Sequence, residues 1–161
     1  MYSGVHYDKI VKGNQDEHTP NNSISFHENP TNLNTIEEKG VSKVVLIVDD
    51  DPDMTSIFSL GLQDEGFEVY TFNDSLEVLS HFRPNFYDLM LLAIHLPKMN
   101  GIDLSKQLLE LDLNVKICFI TAGEANIEVL RELYPARDIG CFIRKPVTID
   151  QLVKRIKAEL N

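Results

Sequence analysis

The chain has 161 residues, 43% of them apolar, and a formal net charge of −10, which suits one domain with a tail, or one large domain, around a packed core. That acidity argues against a nucleic-acid or anionic-membrane partner, since both need a basic face. No apolar run nears the roughly 20 residues needed to cross a bilayer, and the N-terminus lacks the apolar stretch of a signal peptide. The expectation is therefore a cytoplasmic protein with no membrane and no nucleic-acid partner. Two cysteines, Cys118 and Cys141, lie in apolar, strand-like runs and are expected as buried, reduced thiols.

Residues 1–42 are rich in Asn, Ser, Thr and scattered charge, and their apolar residues are too sparse to define a face. They read as a flexible polar tail, with a short helix or strand conceivable around Tyr7–Lys12 or Ser23–His27. His6, His18 and His27 share no metal-ligand spacing. Val44 to Val48 then forms a continuous apolar run, as in a strand buried on both faces. It meets Asp49, Asp50 and Asp51, and then Pro52, which suits the first turn of a helix. Two carboxylates about 4 Å apart repel by roughly 4 kcal/mol at an effective dielectric near 20. The cluster reads either as holding a hard cation, Mg2+ being the natural candidate, or as a solvated acidic loop capping the next helix.

The first helix carries Met54, Ile57, Phe58 and Leu62 at helical spacing and stops near Gly66. Phe67 to Phe72 alternates like an edge strand. Asp74 or Ser75 caps a second helix through Leu76, Val78, Leu79 and Phe82, ended by Pro84. Asp88 to Ala93 is a third, nearly all-apolar strand. A Pro- and Gly-containing loop, Leu96 to Gly101, leads to a helix bearing Ile102, Leu104, Leu108 and Leu111. Val115 to Thr121 is a fourth strand ending on a hydroxyl. A helix is expected over Glu124 to Tyr134, and a short fifth strand over Cys141 to Arg144, before Lys145-Pro146. Thr148 and Gln151 make a capping box for the last helix, whose apolar face is Ile149, Leu152, Val153 and Ile156. This alternation predicts an α/β fold: a doubly wound, five-stranded parallel sheet of strand order 2-1-3-4-5. Right-handed crossovers then gather Asp49, Asp50, Ala93, Thr121 and Lys145 on one rim.

Four motifs, VDDDPD, LMLLAIHLPKMNG, FITAG and CFIRKP, stand in order at these strand ends. With them the segment 43–161 resembles the receiver domain of two-component response regulators, including the chemotaxis-regulator type, with a flavodoxin-like (βα)5 fold. The resemblance implies that Asp49 and Asp50 place Mg2+, Asp50 directly and Asp49 through water. It makes the backbone carbonyl of His95 a third ligand. It assigns Thr121 to the phosphoryl group and Lys145 to its oxygens. It gives Pro146 a bond that is commonly cis, and it makes Phe142 an aromatic switch whose rotamer reports activation. The upstream partner it implies is a sensor histidine kinase, with an unknown protein partner downstream.

One position departs from the pattern. Where the family carries its phosphoacceptor aspartate, this chain has Ala93. A methyl group has no lone pair to attack phosphorus and no oxygen for a metal. Neither His95 nor Asn100 supplies a carboxylate in its place. In-line transfer from a kinase histidine to residue 93 is thus not expected, and Mg2+ binding is expected to be weakened. The intact acids, hydroxyl and lysine favour an engineered substitution in a working receiver over the alternative, a natural phosphorylation-independent receiver that serves as a protein-binding module. The reading is a single-domain response regulator, not an enzyme, since no other nucleophile lies near the acids. A flavin-binding protein is disfavoured because three acids replace the expected phosphate loop. Asp51 is expected to serve the helix dipole, His95 to face solvent beside the site, and Gly101 to serve turn geometry. Leu133, Tyr134, Phe142 and the start of the last helix are candidates for a partner-reading face, with ordinary core packing as the alternative.

Overall fold

Val44–Val48 forms β1, and all but its first residue are buried, as expected of a strand with helices on both sides. The computed structural model describes residues 40–123, 127–133 and 141–161. The expected tail up to residue 39, with its short elements and histidines, lies outside the described residues, as do 124–126 and Tyr134. After β1 come α1 (Pro52–Asp64), β2 (Glu68–Phe72), α2 (Ser75–His81), β3 (Leu89–Ala93), α3 (Gly101–Leu111), β4 (Lys116–Thr121), α4 (Ile127–Leu133), β5 (Cys141–Arg144) and α5 (Ile149–Leu160). The sheet is parallel and ordered β2-β1-β3-β4-β5, as the alternation predicted.

Local chemistry sets the boundaries. Pro52 opens α1, and Asp51 caps it by accepting from the backbone N–H groups of Asp53 and Met54. Past its end Gly66 takes φ +90°, a conformation that costs glycine little. Asp74 caps α2 in the same way, through Leu76 and Glu77, and the expected Thr148–Gln151 capping box opens α5. Asn100, which nothing in the sequence reading singled out as a cap, caps α3 through the N–H of Asp103.

The core runs along β1, β3 and β4. Leu89, Met90, Leu91 and Leu92 are fully buried, and burial of each contributes roughly 2 kcal/mol. The helix faces are narrower than the apolar spacing implied. Thr55, Phe58 and Leu62 face inward from α1, while Ile57, Leu76 and Leu111 are about half exposed. A helix lying on a sheet buries a single stripe, and apolar residues off that stripe turn to water.

The reading of the cysteines is corrected by the sheet register. Cys118 of β4 is the Cα partner of Cys141 of β5, and the two form a disulfide. Parallel partners point to the same face, and here their Cα atoms lie 4.5 Å apart, within disulfide reach. Among the described residues there is no free cysteine.

Candidate functional site at the carboxyl rim of the sheet

Asp49 follows the last residue of β1 and is 1% exposed. Its position is determined from several sides. Its backbone N–H donates to the carbonyl of Phe72 at 3.2 Å. Its own carbonyl accepts from Asn73 Nδ2 at 2.7 Å, and the same amide donates to Thr55 Oγ1 at 3.1 Å. Its Oδ1 accepts from the Asp51 N–H at 3.0 Å. Its Oδ2 accepts from Lys145 Nζ at 2.6 Å. A carboxylate this deeply placed needs such partners, because burying it unpaired is costly. Asp50, next in the chain, is exposed.

The sheet register brings the other residues to the same edge. Val48 is the partner of Leu92 and Ala93 of Ile120, while Thr121 is the partner of Arg144. Asp49, Ala93, Thr121 and Lys145 therefore end four adjacent strands. Thr121 is buried; its Oγ1 accepts from the Gly123 N–H at 3.1 Å and its carbonyl accepts from the Lys145 N–H at 2.9 Å. The Lys145–Pro146 bond is cis. Phe142 is half-buried and stacks on fully buried Phe119, ring centroids 5.7 Å apart.

Ala93 is 4% exposed. α3 begins hard against it. A Cβ on Gly101 would overlap the Ala93 carbonyl oxygen, and the Gly101 N–H donates to the Ile94 carbonyl at 2.8 Å. Gly101 is thus required by close approach of backbones as well as by the turn. His95 is exposed, and its imidazole lies beside Gly123, where a Cβ would meet Nε2 at 3.3 Å and Thr121 Oγ1 at 3.8 Å. Asp51 is the α1 cap, in keeping with a helix-terminus role. Tyr134 and the side chain of Leu133 lie outside the described residues, so of the expected partner-reading face only Phe142 and the start of α5 are described.

Sequence reasoning missed Asn73, which ties the β1 end to α1. It also missed Lys98, which takes φ 68° and bonds Asp74 through its ammonium. A turn-type Asn before a cap gave no sign of a bond 24 residues back. The donor set is poor for a tightly held Mg2+. One carboxylate is already bonded to an ammonium, one is exposed, and among the described residues no group of three or more His, Cys, Asp and Glu side chains gathers to hold a metal. No helix among the described residues is long and apolar enough to cross a membrane.

The comparisons agree with this geometry. The model of the response regulator receiver domain matches residues 45–157. The chain is 34% identical over 117 residues to the DNA-binding response regulator MtrA of Mycolicibacterium smegmatis, covering 73% of this chain and 50% of that protein. It is 37% identical over 117 residues to the transcriptional regulatory protein CpxR homolog of Haemophilus influenzae, with 73% and 50% covered. Among solved structures, a CheY-like receiver domain protein from Methanospirillum hungatei superposes with TM-score 0.66 at 30% identity, covering 74% of this chain and 94% of that one. The non-phosphorylated HemR receiver domain of Leptospira biflexa gives TM-score 0.65 at 25% identity, with 74% and 95% covered. The chain spans about half the length of the curated relatives it matches. These relatives overturn the expectation of no nucleic-acid partner. A protein named as DNA-binding shares a third of its residues with this acidic chain over the matched stretch, so the charge of this domain does not exclude such a partner for the whole protein. With four strand ends converging and a family model matching most of the folded part, this chain belongs to the response regulator receiver domain family.

Proposed function

We propose that this receiver serves two-component signalling as a phosphorylation-deficient form, docking a sensor histidine kinase without taking a phosphoryl group at residue 93. The observation that carries the reading is the buried methyl of Ala93 at the end of β3, flanked by the strands that lead to Asp49 and Thr121, with Lys145 at the end of the next strand. On this reading Asp49, Thr121 and Lys145 are the groups that would orient or neutralise a phosphoryl group, and the missing part is the nucleophile. The domain works by changing which partner it binds, not as an enzyme, and does so in the cytoplasm. In the family, phosphorylation shifts an existing conformational equilibrium; here that covalent route is closed. Mg2+, which receivers hold in this site, is bound weakly.

By likeness to relatives named as DNA-binding and transcriptional regulators, the output is assigned to a nucleic-acid-binding element that this domain regulates. The acidic receiver itself does not supply the contact, because phosphate backbones are bound by cations.

The test is Ala93→Asp in the full chain, incubated with a small-molecule acyl phosphate and Mg2+ and weighed by intact mass spectrometry. The variant is expected to gain one phosphoryl group, labile to hydroxylamine, while the parent chain stays unmodified. Phosphorylation of the parent at any other residue, or none of the variant, would refute the reading.

A further inference from the structure

We propose that Cys118 and Cys141 are a redox-modifiable site, cycling between dithiol and disulfide and thereby tightening or loosening the β4–β5 edge. The proposal does not depend on the reading of Ala93. Both cysteines are fully buried, directly opposite in the register, and joined. β5 is a four-residue strand at the edge of the sheet and, among the described residues, pairs only with β4. The bond is therefore a covalent tie on an element otherwise held by one ladder and by its packing. The same ladder continues through Phe119 with Phe142 and Ile120 with Ile143 to Thr121 with Arg144. It closes where the Lys145 N–H meets the Thr121 carbonyl at 2.9 Å. Three residues beyond the tie on β4 lies the hydroxyl of the rim, and four beyond it on the β5 side lies the ammonium.

The reduced state is also packable, since a buried thiol behaves as a small apolar group. Edge elements with few partners open first, so losing the tie falls mainly on β5. The chemistry is thiol–disulfide exchange with a small-molecule disulfide such as oxidised glutathione. A cysteine thiolate attacks one sulfur of the donor, forming a mixed disulfide and releasing the first thiolate. The second cysteine thiolate then attacks the sulfur of its partner, forming the Cys118–Cys141 bond and releasing the second. Two protein thiols lose two protons and two electrons, and one donor disulfide becomes two thiols. Full burial requires β5 to open before either sulfur is reached. In compartments that keep most thiols reduced, the disulfides that do form are usually regulatory or catalytic.

The experiment uses the full chain equilibrated in glutathione buffers from reducing to oxidising. Thiols are counted by alkylation after denaturation, and amide exchange is followed by mass spectrometry. The expected result is reversible interconversion without denaturant. In the reduced form, amides of 142–145 exchange about tenfold faster, while those of 45–48 are unchanged. A pair that excess dithiothreitol cannot reduce without denaturant, that does not re-form, or whose state leaves exchange at 142–145 unaltered would overturn the proposal. The Cys118→Ala, Cys141→Ala double variant should match the reduced exchange pattern in every buffer. If it does not fold, the titration of the parent chain still decides.

Discussion

A carboxylate as buried as Asp49 persists only while it is paired. Lys145 is the partner, and its side chain is 21% exposed against 2% for Asp49, so the pair is only partly shielded from water. Removing the ammonium alone leaves the carboxylate, among the described residues, with the bond it accepts from the Asp51 N–H. Lys145→Met is expected to cost about 2 kcal/mol in urea unfolding. The double variant with Asp49→Asn should cost less than the two single changes added, because the unpaired charge goes as well; additive costs would show that the two side chains are not coupled. Ala93 belongs to the same cluster. Ala93→Asp adds a third acid beside Asp49 and Asp50, worth about 1 kcal/mol of repulsion without metal. Its thermal melt should therefore fall in chelator and rise with Mg2+, whereas the parent should respond little. Identical responses would place residue 93 away from the acids. Gly101 admits no side chain, because the atoms in the way are backbone of β3. Gly101→Ala is expected to lose about 2–3 kcal/mol, read as a lowered urea midpoint at unchanged slope.

Helix α2 shows how an element depends on charge at its start. The Asp74 carboxyl is held below the usual carboxylate range, first by its bond to the Lys98 ammonium and then by the Leu76 N–H. A lowered folded-state value means that the contribution is complete at neutral pH and is lost as pH falls through the carboxylate range. Asp74→Asn retains a capping side chain and removes the charge. The parent should exceed this variant in urea midpoint at neutral pH, and the gap should close below about pH 4; a constant gap would exclude the linkage. At the other end of the chain, Thr148 and Gln151 satisfy each other's backbone donors at the start of α5. Thr148→Ala should cost about 1 kcal/mol. α1 and α5 meet where Gly61 lies against Ile149, so fraying of that cap also loosens the contact between the two helices.

For the whole molecule the disulfide is the covalent tie, closing a segment across a sequence separation of 23. Restricting the unfolded chain by a loop of that length stabilises the fold by about 3 kcal/mol. Reduction is expected to lower the urea midpoint accordingly, with little change in far-ultraviolet circular dichroism. A midpoint independent of reductant would mean that the tie contributes nothing to stability.

The strands, the helices after Pro52 and Thr148, and the 2-1-3-4-5 sheet were legible from one-dimensional signals: apolar runs, caps, prolines and their alternation. The rim followed from topology, because parallel strands with right-handed crossovers present their carboxyl ends together, and so Asp49, Ala93, Thr121 and Lys145 could be named in advance. Register was not legible. A parallel pair can slide without altering composition, so nothing in the spacing of Cys118 and Cys141 distinguished two buried thiols from a bond. The same holds for Asn73 reaching the Asp49 carbonyl, for Gly101 pressed against Ala93, and for Ile57 and Leu76 turned to water. Each depends on where one element lies against another, and that is decided by packing the sheet and helices together rather than by any local run of residues.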